Sequence, residues 1–184
     1  MSTATRMTAE EYFAVSVERD FTELIDGVMV VNEPTLLHNL AQGEIFAALR
    51  DWTRAAPDRG LASTPTSIPV DRYNVFSPDV LWLSEPRVPE RLDERLEWLP
   101  DLAVEVRSPS TWRYDLGKKK ATYERSGLPE LWLVDTASRT VLVYRRSSRD
   151  SEVFDVELEL CEAEELTSPQ LPGFGLRTER IFTR

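Results

Sequence analysis

Asp79 and Glu105 are the residues whose surroundings call for a chemical explanation. Each lies in or at the end of an otherwise apolar run, Asp79-Val80-Leu81-Trp82-Leu83 and Leu102-Ala103-Val104-Glu105-Val106. Runs of that length and kind fit buried strands. A buried carboxylate costs on the order of several kcal/mol unless it is paired, hydrogen-bonded or bound to a cation. Two such acids on neighbouring strands repel each other, and a divalent ion between them removes the repulsion. Hard oxygen ligands suit Mg²⁺, or Mn²⁺ in its place. Taken singly, each acid also fits a structural role. Asp79 follows Pro78 and could simply open a strand; Glu105 could pair with Arg107, two residues along on the same strand face.

A second group follows. Asp115, Lys119 and Tyr123 are spaced four apart, which lines them up on one face of a helix. A lysine close to two metal-bound carboxylates could orient or help deprotonate a water, or neutralise charge on a phosphoryl group. The same spacing also describes a solvated basic helix with a routine Asp–Lys pair.

The elements that must position these residues follow from local pattern. Thr8-Ala9-Glu10-Glu11 is a capping box that opens a short helix through about Ser16. Phe21 to Ile25 and Val28 to Val31 are strand-forming runs around the hairpin signal Asp26-Gly27. Alternation puts Phe21, Glu23 and Ile25 on one face of the first strand. Leu37, Leu40, Ala41, Ile45, Ala48, Leu49 and Trp52 then recur with helical period until Pro57 and Gly60. Ser67 to Val70 predicts a strand that Pro69 confines to an edge. Ser84 to Pro100 is a charged loop with three prolines and one helical turn. A helix spans Trp112 to Arg125 and stops at Gly127 and Pro129. Leu131 to Val134 and Val141 to Tyr144 are neighbouring strands, and Phe154 to Leu160 adds one more. The order of elements predicts one α/β domain over residues 1–184, with a mixed sheet and helices against it.

Composition bounds the function. The 184 residues include 22 basic and 32 acidic side chains, a net charge of −10. Apolar residues are 41% and charged residues 29%, the globular norm. The single histidine excludes a site built from several imidazoles, and one cysteine, Cys161, excludes an internal disulfide. No GxGxxG or GxxxxGK[ST] phosphate loop occurs. No apolar run reaches the roughly 18 residues that span a bilayer, and the N-terminus has no secretory pattern, so a cytoplasmic protein is expected. The acidic balance opposes broad DNA coating, so a nucleic-acid role needs a local basic site. The segment Arg113 to Lys120, with four basic residues and one acid, could supply it.

Together these stretches resemble the Uma-type restriction endonucleases, a bacterial branch of the PD-(D/E)xK nuclease superfamily. The matching residues are Glu23-Leu24-Ile25-Asp26-Gly27, Ser77-Pro78-Asp79-Val80 and Asp101 to Thr111. They continue through Tyr114-Asp115-Leu116-Gly117, Lys119, Tyr123, Gly127 to Asp135 and Leu171-Pro172-Gly173-Phe174. The resemblance implies a restriction-endonuclease-like fold, a mixed central β-sheet flanked by helices. It also implies that Asp79 and Glu105 bind the metal and that the catalytic lysine has moved to the following helix, as Lys119. At the superfamily's usual lysine position stands Arg107, a poor base that could grip phosphate or sit on Glu105. Glu23 matches an accessory acid, and His38 a histidine that could contact substrate or help deprotonate water.

The leading expectation is Mg²⁺-dependent hydrolysis of a DNA phosphodiester by Asp79, Glu105 and Lys119. Tyr123 would orient Lys119, and a homodimer fits the superfamily. Two other classes compete. One is an inactive interaction protein using Trp82, Trp98, Trp112 or Trp132. The other is a hydrolase of small phosphate esters.

Overall fold

The computed structural model describes residues 6–15 and 22–183. The capping box forms as expected. Thr8 Oγ1 accepts from the Glu11 N–H at 3.2 Å, and Glu11 Oε2 accepts from the Thr8 N–H at 2.7 Å. It starts α1 (Ala9–Ala14). The expected helix end at Ser16 and the strand start at Phe21 lie outside the described residues. Strands β1 (Thr22–Ile25) and β2 (Val28–Val31) form the hairpin. Asp26 and Gly27 both adopt positive φ, 53° and 76°, as a two-residue turn between twisted strands requires.

Helix α2 (Leu36–Arg54) is capped by Thr35. Its buried stripe is His38, Ala41, Ile45, Leu49 and Trp52. The expected Leu37 and Leu40 instead face solvent, 42% and 45% exposed, because the helix is rotated to turn His38 inward. Two strands had no clear pattern in the sequence: β3 (Leu61–Ser63) and, after β4 (Ile68–Asp71), β5 (Asn74–Phe76). Three residues are too few to show alternation. Pro69 does lie on an edge strand, in an antiparallel sheet of order β2-β1-β5-β4.

The larger sheet holds β6 (Val80–Leu83), β7 (Leu102–Val106), β8 (Glu130–Asp135), β9 (Thr140–Arg145) and β10 (Val156–Leu160). Its order is β10-β9-β8-β7-β6-β3. Only β7 and β8 run parallel, joined by a crossover that carries a helix in three pieces. The sheet is therefore mixed and flanked by helices. One face packs Val80, Trp82, Val104 and Trp132 against α2 and against α5 (Thr178–Phe182), an element absent from the expected list. The other face packs Ala103, Leu131 and Leu133 against Tyr123, Leu128 and Phe76. Trp82 and Trp132 are buried core residues and offer no docking area; Trp98 is exposed. Among the described residues, no helix is long and apolar enough to cross a membrane.

The crossover departs from a plain helix. Trp112–Tyr114 (α3) and Lys120–Arg125 (α4) are α-helical, but Asp115–Lys119 between them is a π-helical turn. Such bulges are rare and gather at functional sites. This one spans the Asp115–Lys119 pair.

Candidate active site

Strands β6 and β7 pair antiparallel, with Val80 opposite Val104. One step further along that register places Asp79 opposite Glu105. The Asp79 carboxylate confirms the approach, since its Oδ2 accepts from the Val106 N–H at 2.7 Å. Its Oδ1 lies 3.1 Å from His38 Nε2, and Gln42 Nε2 donates to its backbone oxygen at 2.9 Å. Asp79 and Glu105 are both almost fully buried, and among the described residues no arginine neutralises either.

Lys119 is the hub of the acidic cluster. It is 2% exposed, yet its ammonium touches three carboxylates. Nζ lies 2.9 Å from Glu23 Oε1, 2.9 Å from Glu105 Oε2 and 3.1 Å from Asp115 Oδ1. The π turn lets Asp115 and Lys119 stand in line although both are deeply buried. Asp115 is steadied by the Thr111 hydroxyl at 3.3 Å, which meets the Ser108 hydroxyl at 2.7 Å. Glu23 comes from β1 in the other sheet and is fixed by the Ser77 N–H at 2.7 Å. Residues distant in sequence therefore meet at one point.

Two expected roles change. Tyr123 does not orient Lys119; its hydroxyl donates to Glu105 Oε1 at 2.8 Å. Arg107 does not sit on Glu105. It turns outward to Asp135, at 2.9 and 3.0 Å, and lies over the Trp112 ring. Glu105 prefers the buried ammonium because it faces the helix layer, whereas Arg107 has left the strand for the solvent edge.

The basic segment Arg113 to Lys120 also differs from expectation. Lys118 is held by Asp26, Lys120 by Glu157, and Lys119 is buried in the cluster. Only Arg113 keeps its charge free of an acid among the described residues. The segment therefore builds the site's interior and presents little positive surface.

Electrostatics follow from three carboxylates crowded around one ammonium, with Asp79 nearby. Burial pushes the Glu105 carboxyl well above the usual carboxylate range; Lys119 opposes this, but Glu23, Asp115 and Asp79 add to it. Glu23 and Asp115 are raised for the same leading reason, burial. Lys119 is desolvated too, yet Asp115, Glu105 and Glu23 hold its proton well beyond the ordinary lysine range. Burial lifts the Tyr123 phenol well above its usual value, and the Glu105 charge adds to it. The phenol therefore stays protonated and donates to Glu105.

His38 is lowered by burial, but the hydrogen bond and charge of Asp79 win, and its pKa rises above the ordinary 6.5. Because the chain has one histidine, a proton NMR titration reads it without ambiguity. The parent is expected to titrate above 6.5. In Asp79→Asn the largest raising causes are gone while desolvation remains, so the midpoint should fall relative to the parent. Equal midpoints in the two proteins would show that Asp79 does not hold the imidazole.

Above these acids opens a cleft of about 400 Å³, lined by Glu23, His38, Asp79, Asn32, Gln42 and Ser77 among others. Asn32 and Gln42 were invisible in the sequence, since lone amides in a loop and on a helix carry no spacing signal. Asn32 Oδ1 is buried without a partner. Among the described residues, no three His, Cys, Asp or Glu side chains are placed to hold a metal ion. The donor set still fits a hard divalent cation, because Mg²⁺ is usually held by one or two carboxylates, water and substrate phosphate. Asp79 and Glu105 are the two carboxylates that would hold it, and the surplus of acid over base leaves negative charge to be met.

Comparisons with known proteins agree with this architecture. The profile of the Uma2 family, described as "Putative restriction endonuclease", matches residues 9–179. A crystal structure described as that of a "putative nuclease belonging to DUF820" from Anabaena variabilis superposes with a TM-score of 0.78. It covers 96% of this chain and 97% of that one at 18% identity, a likeness of fold. No curated protein sequence matches the chain.

Proposed function

The chain belongs to the Uma2 family, and from that premise we propose that it is a metal-dependent endonuclease that hydrolyses phosphodiester bonds in DNA, working as a single domain. Family membership supports a nuclease-like function. The observation that carries the finer reading is the meeting of Asp79 and Glu105 across β6 and β7, beside a lysine that three carboxylates keep charged.

Asp79 and Glu105 would hold the divalent cation, Mg²⁺ or Mn²⁺. When bound, that ion supplies the Lewis-acid charge that polarises a phosphoryl oxygen and lowers the pKa of water. The chain's own residues prepare the site. His38 and the Val106 N–H fix the Asp79 carboxylate. Tyr123 fixes one oxygen of Glu105 and Lys119 the other. Lys119 cannot act as a general base, because its neighbours hold its proton firmly. It serves as a fixed positive charge that offsets the negative charge building on the phosphoryl group. Glu23 and Asp115 hold that ammonium in place. Glu23 also lines the cleft.

The test is nicking of plasmid and cleavage of single-stranded DNA with Mg²⁺ or Mn²⁺, alongside calorimetric titration with Mn²⁺. The parent should cleave only with the ion. Asp79→Ala should lose cleavage by at least about a hundredfold, or about 2.7 kcal/mol of transition-state stabilisation, together with Mn²⁺ binding. Cleavage that persists in chelator, or that survives the substitution, refutes the assignment.

A further inference from the structure

A group of arginines lines a second cleft, away from Asp79 and Glu105. Strands β7 and β8 are parallel, so Leu102 and Glu130 begin them side by side. Glu105 lies towards the opposite end of β7. At a strand rise of about 3.3 Å per residue, the two ends of β7 are about 13 Å apart. A cleft of about 770 Å³ opens at the Leu102 end, and four arginines line it: Arg87, Arg145, Arg146 and Arg149.

Its acids are already satisfied. Asp101 accepts from the Ser84 N–H at 2.8 Å and from Arg87 at 2.7 Å. Glu130 accepts from Trp132 Nε1 at 2.7 Å, the Ser168 hydroxyl at 2.6 Å and Gln170 Nε2 at 3.3 Å. Arg146 is committed as well, donating to the backbone oxygens of Leu128, Ser151 and Glu124. Arg145 and Arg149 are different. Both line the cleft, and neither has a hydrogen-bond or ion-pair partner among the described residues. Arg145 stands on β9 directly opposite Glu130, so a regular strand fixes its backbone. Trp82, Pro86, Pro129 and Pro169 add apolar surface to a lining that also holds Ser84, Ser147, Ser148 and Gln170.

Two uncommitted guanidinium groups in a small-molecule-sized cleft that also carries proline rings suit an anion with an organic body. We infer that this cleft binds a nucleoside phosphate, its phosphate on Arg145 and Arg149 and its ring system against the proline rings. The ligand is either a free nucleotide or the 5′-phosphorylated end of a strand, which share this chemistry. The inference does not rest on the nuclease reading, because none of the cleft's residues touches the catalytic cluster.

Calorimetry on the intact protein tests it with three probes: adenosine diphosphate, a short oligonucleotide carrying a 5′-phosphate, and the same oligonucleotide with a 5′-hydroxyl. Saturable binding of the diphosphate assigns a free nucleotide. Binding of the 5′-phosphorylated oligonucleotide alone assigns a strand end. In either case Arg145→Ala/Arg149→Ala should weaken binding at least tenfold. Arg54→Ala, which removes an exposed arginine elsewhere, should leave it unchanged. Circular dichroism establishes that each variant is folded. Three results would each overturn the inference: no binding by either phosphorylated probe, equal affinity in the double variant, or equal affinity for the 5′-hydroxyl oligonucleotide.

Discussion

Replacing Lys119 with methionine is expected to destabilise the protein by about 3–5 kcal/mol at neutral pH, the usual cost of stripping one partner from a buried ion cluster. Methionine nearly fills the space, so packing contributes little. What is lost is the only positive charge in contact with Glu23, Glu105 and Asp115 among the described residues. All three acids already have raised pKa values in the parent, chiefly through burial. Without the ammonium they rise further. A raised acid pKa means that the native state binds more protons than the unfolded one. Stability then falls as pH climbs from the unfolded value, 4.5 for glutamate, through the folded value. The gap between variant and parent should therefore be widest at pH 8 and shrink toward pH 5. Urea unfolding at those two pH values measures it. A gap under about 1 kcal/mol, or one indifferent to pH, would mean that solvent screens the cluster as it does a surface pair.

The sequence revealed this cluster unevenly. Asp79 and Glu105 were legible because an acid in an apolar strand violates an otherwise clean local pattern, and the resemblance then singled them out as a pair. Asp115 and Lys119 were legible as a spacing, but not as a π turn, since backbone hydrogen-bond shifts leave no mark in residue type. Glu23 could be placed on a strand, yet its contact with Lys119 joins residues 96 positions apart across two sheets. Periodicity carries no information about that meeting. Tyr123 shows the limit most plainly. Its position on the helix face was right, but whether its hydroxyl serves Lys119 or Glu105 depends on sub-ångström placement between layers. The short strands β3 and β5 and the C-terminal helix escaped notice for a simpler reason. Elements of three to five residues form because tertiary pairing holds them, not because local propensity does.

Glu105→Gln should separate chemistry from stability, and in the opposite direction from the lysine substitution. The amide keeps the shape of the side chain. Its single oxygen can accept from the Lys119 ammonium and its amide N–H can donate to the Tyr123 oxygen, in place of the contacts Glu105 makes with them at 2.9 and 2.8 Å. Lys119 retains Glu23 and Asp115, so no buried charge is left alone. The substitution removes a carboxylate that burial already drives toward its neutral form. Stability at pH 7 should thus stay within about 1 kcal/mol of the parent or rise, since replacing buried charge by well-fitted neutral groups is often neutral or stabilising. The part of the parent's pH dependence that comes from Glu105, a loss of stability as pH rises above 4.5, should vanish. Cleavage should fall at least about a hundredfold, or about 2.7 kcal/mol, with Mn²⁺ affinity, because an amide is a far weaker ligand for a hard dication than a carboxylate. Urea unfolding, Mn²⁺ calorimetry and plasmid nicking on one preparation give all three readouts. A variant that cleaves normally would remove Glu105 from the chemistry. A stability loss beyond about 2 kcal/mol would make the carboxylate a structural group. A silent, stable protein is the outcome expected of a site that accepts electrostatic repulsion in exchange for holding a cation.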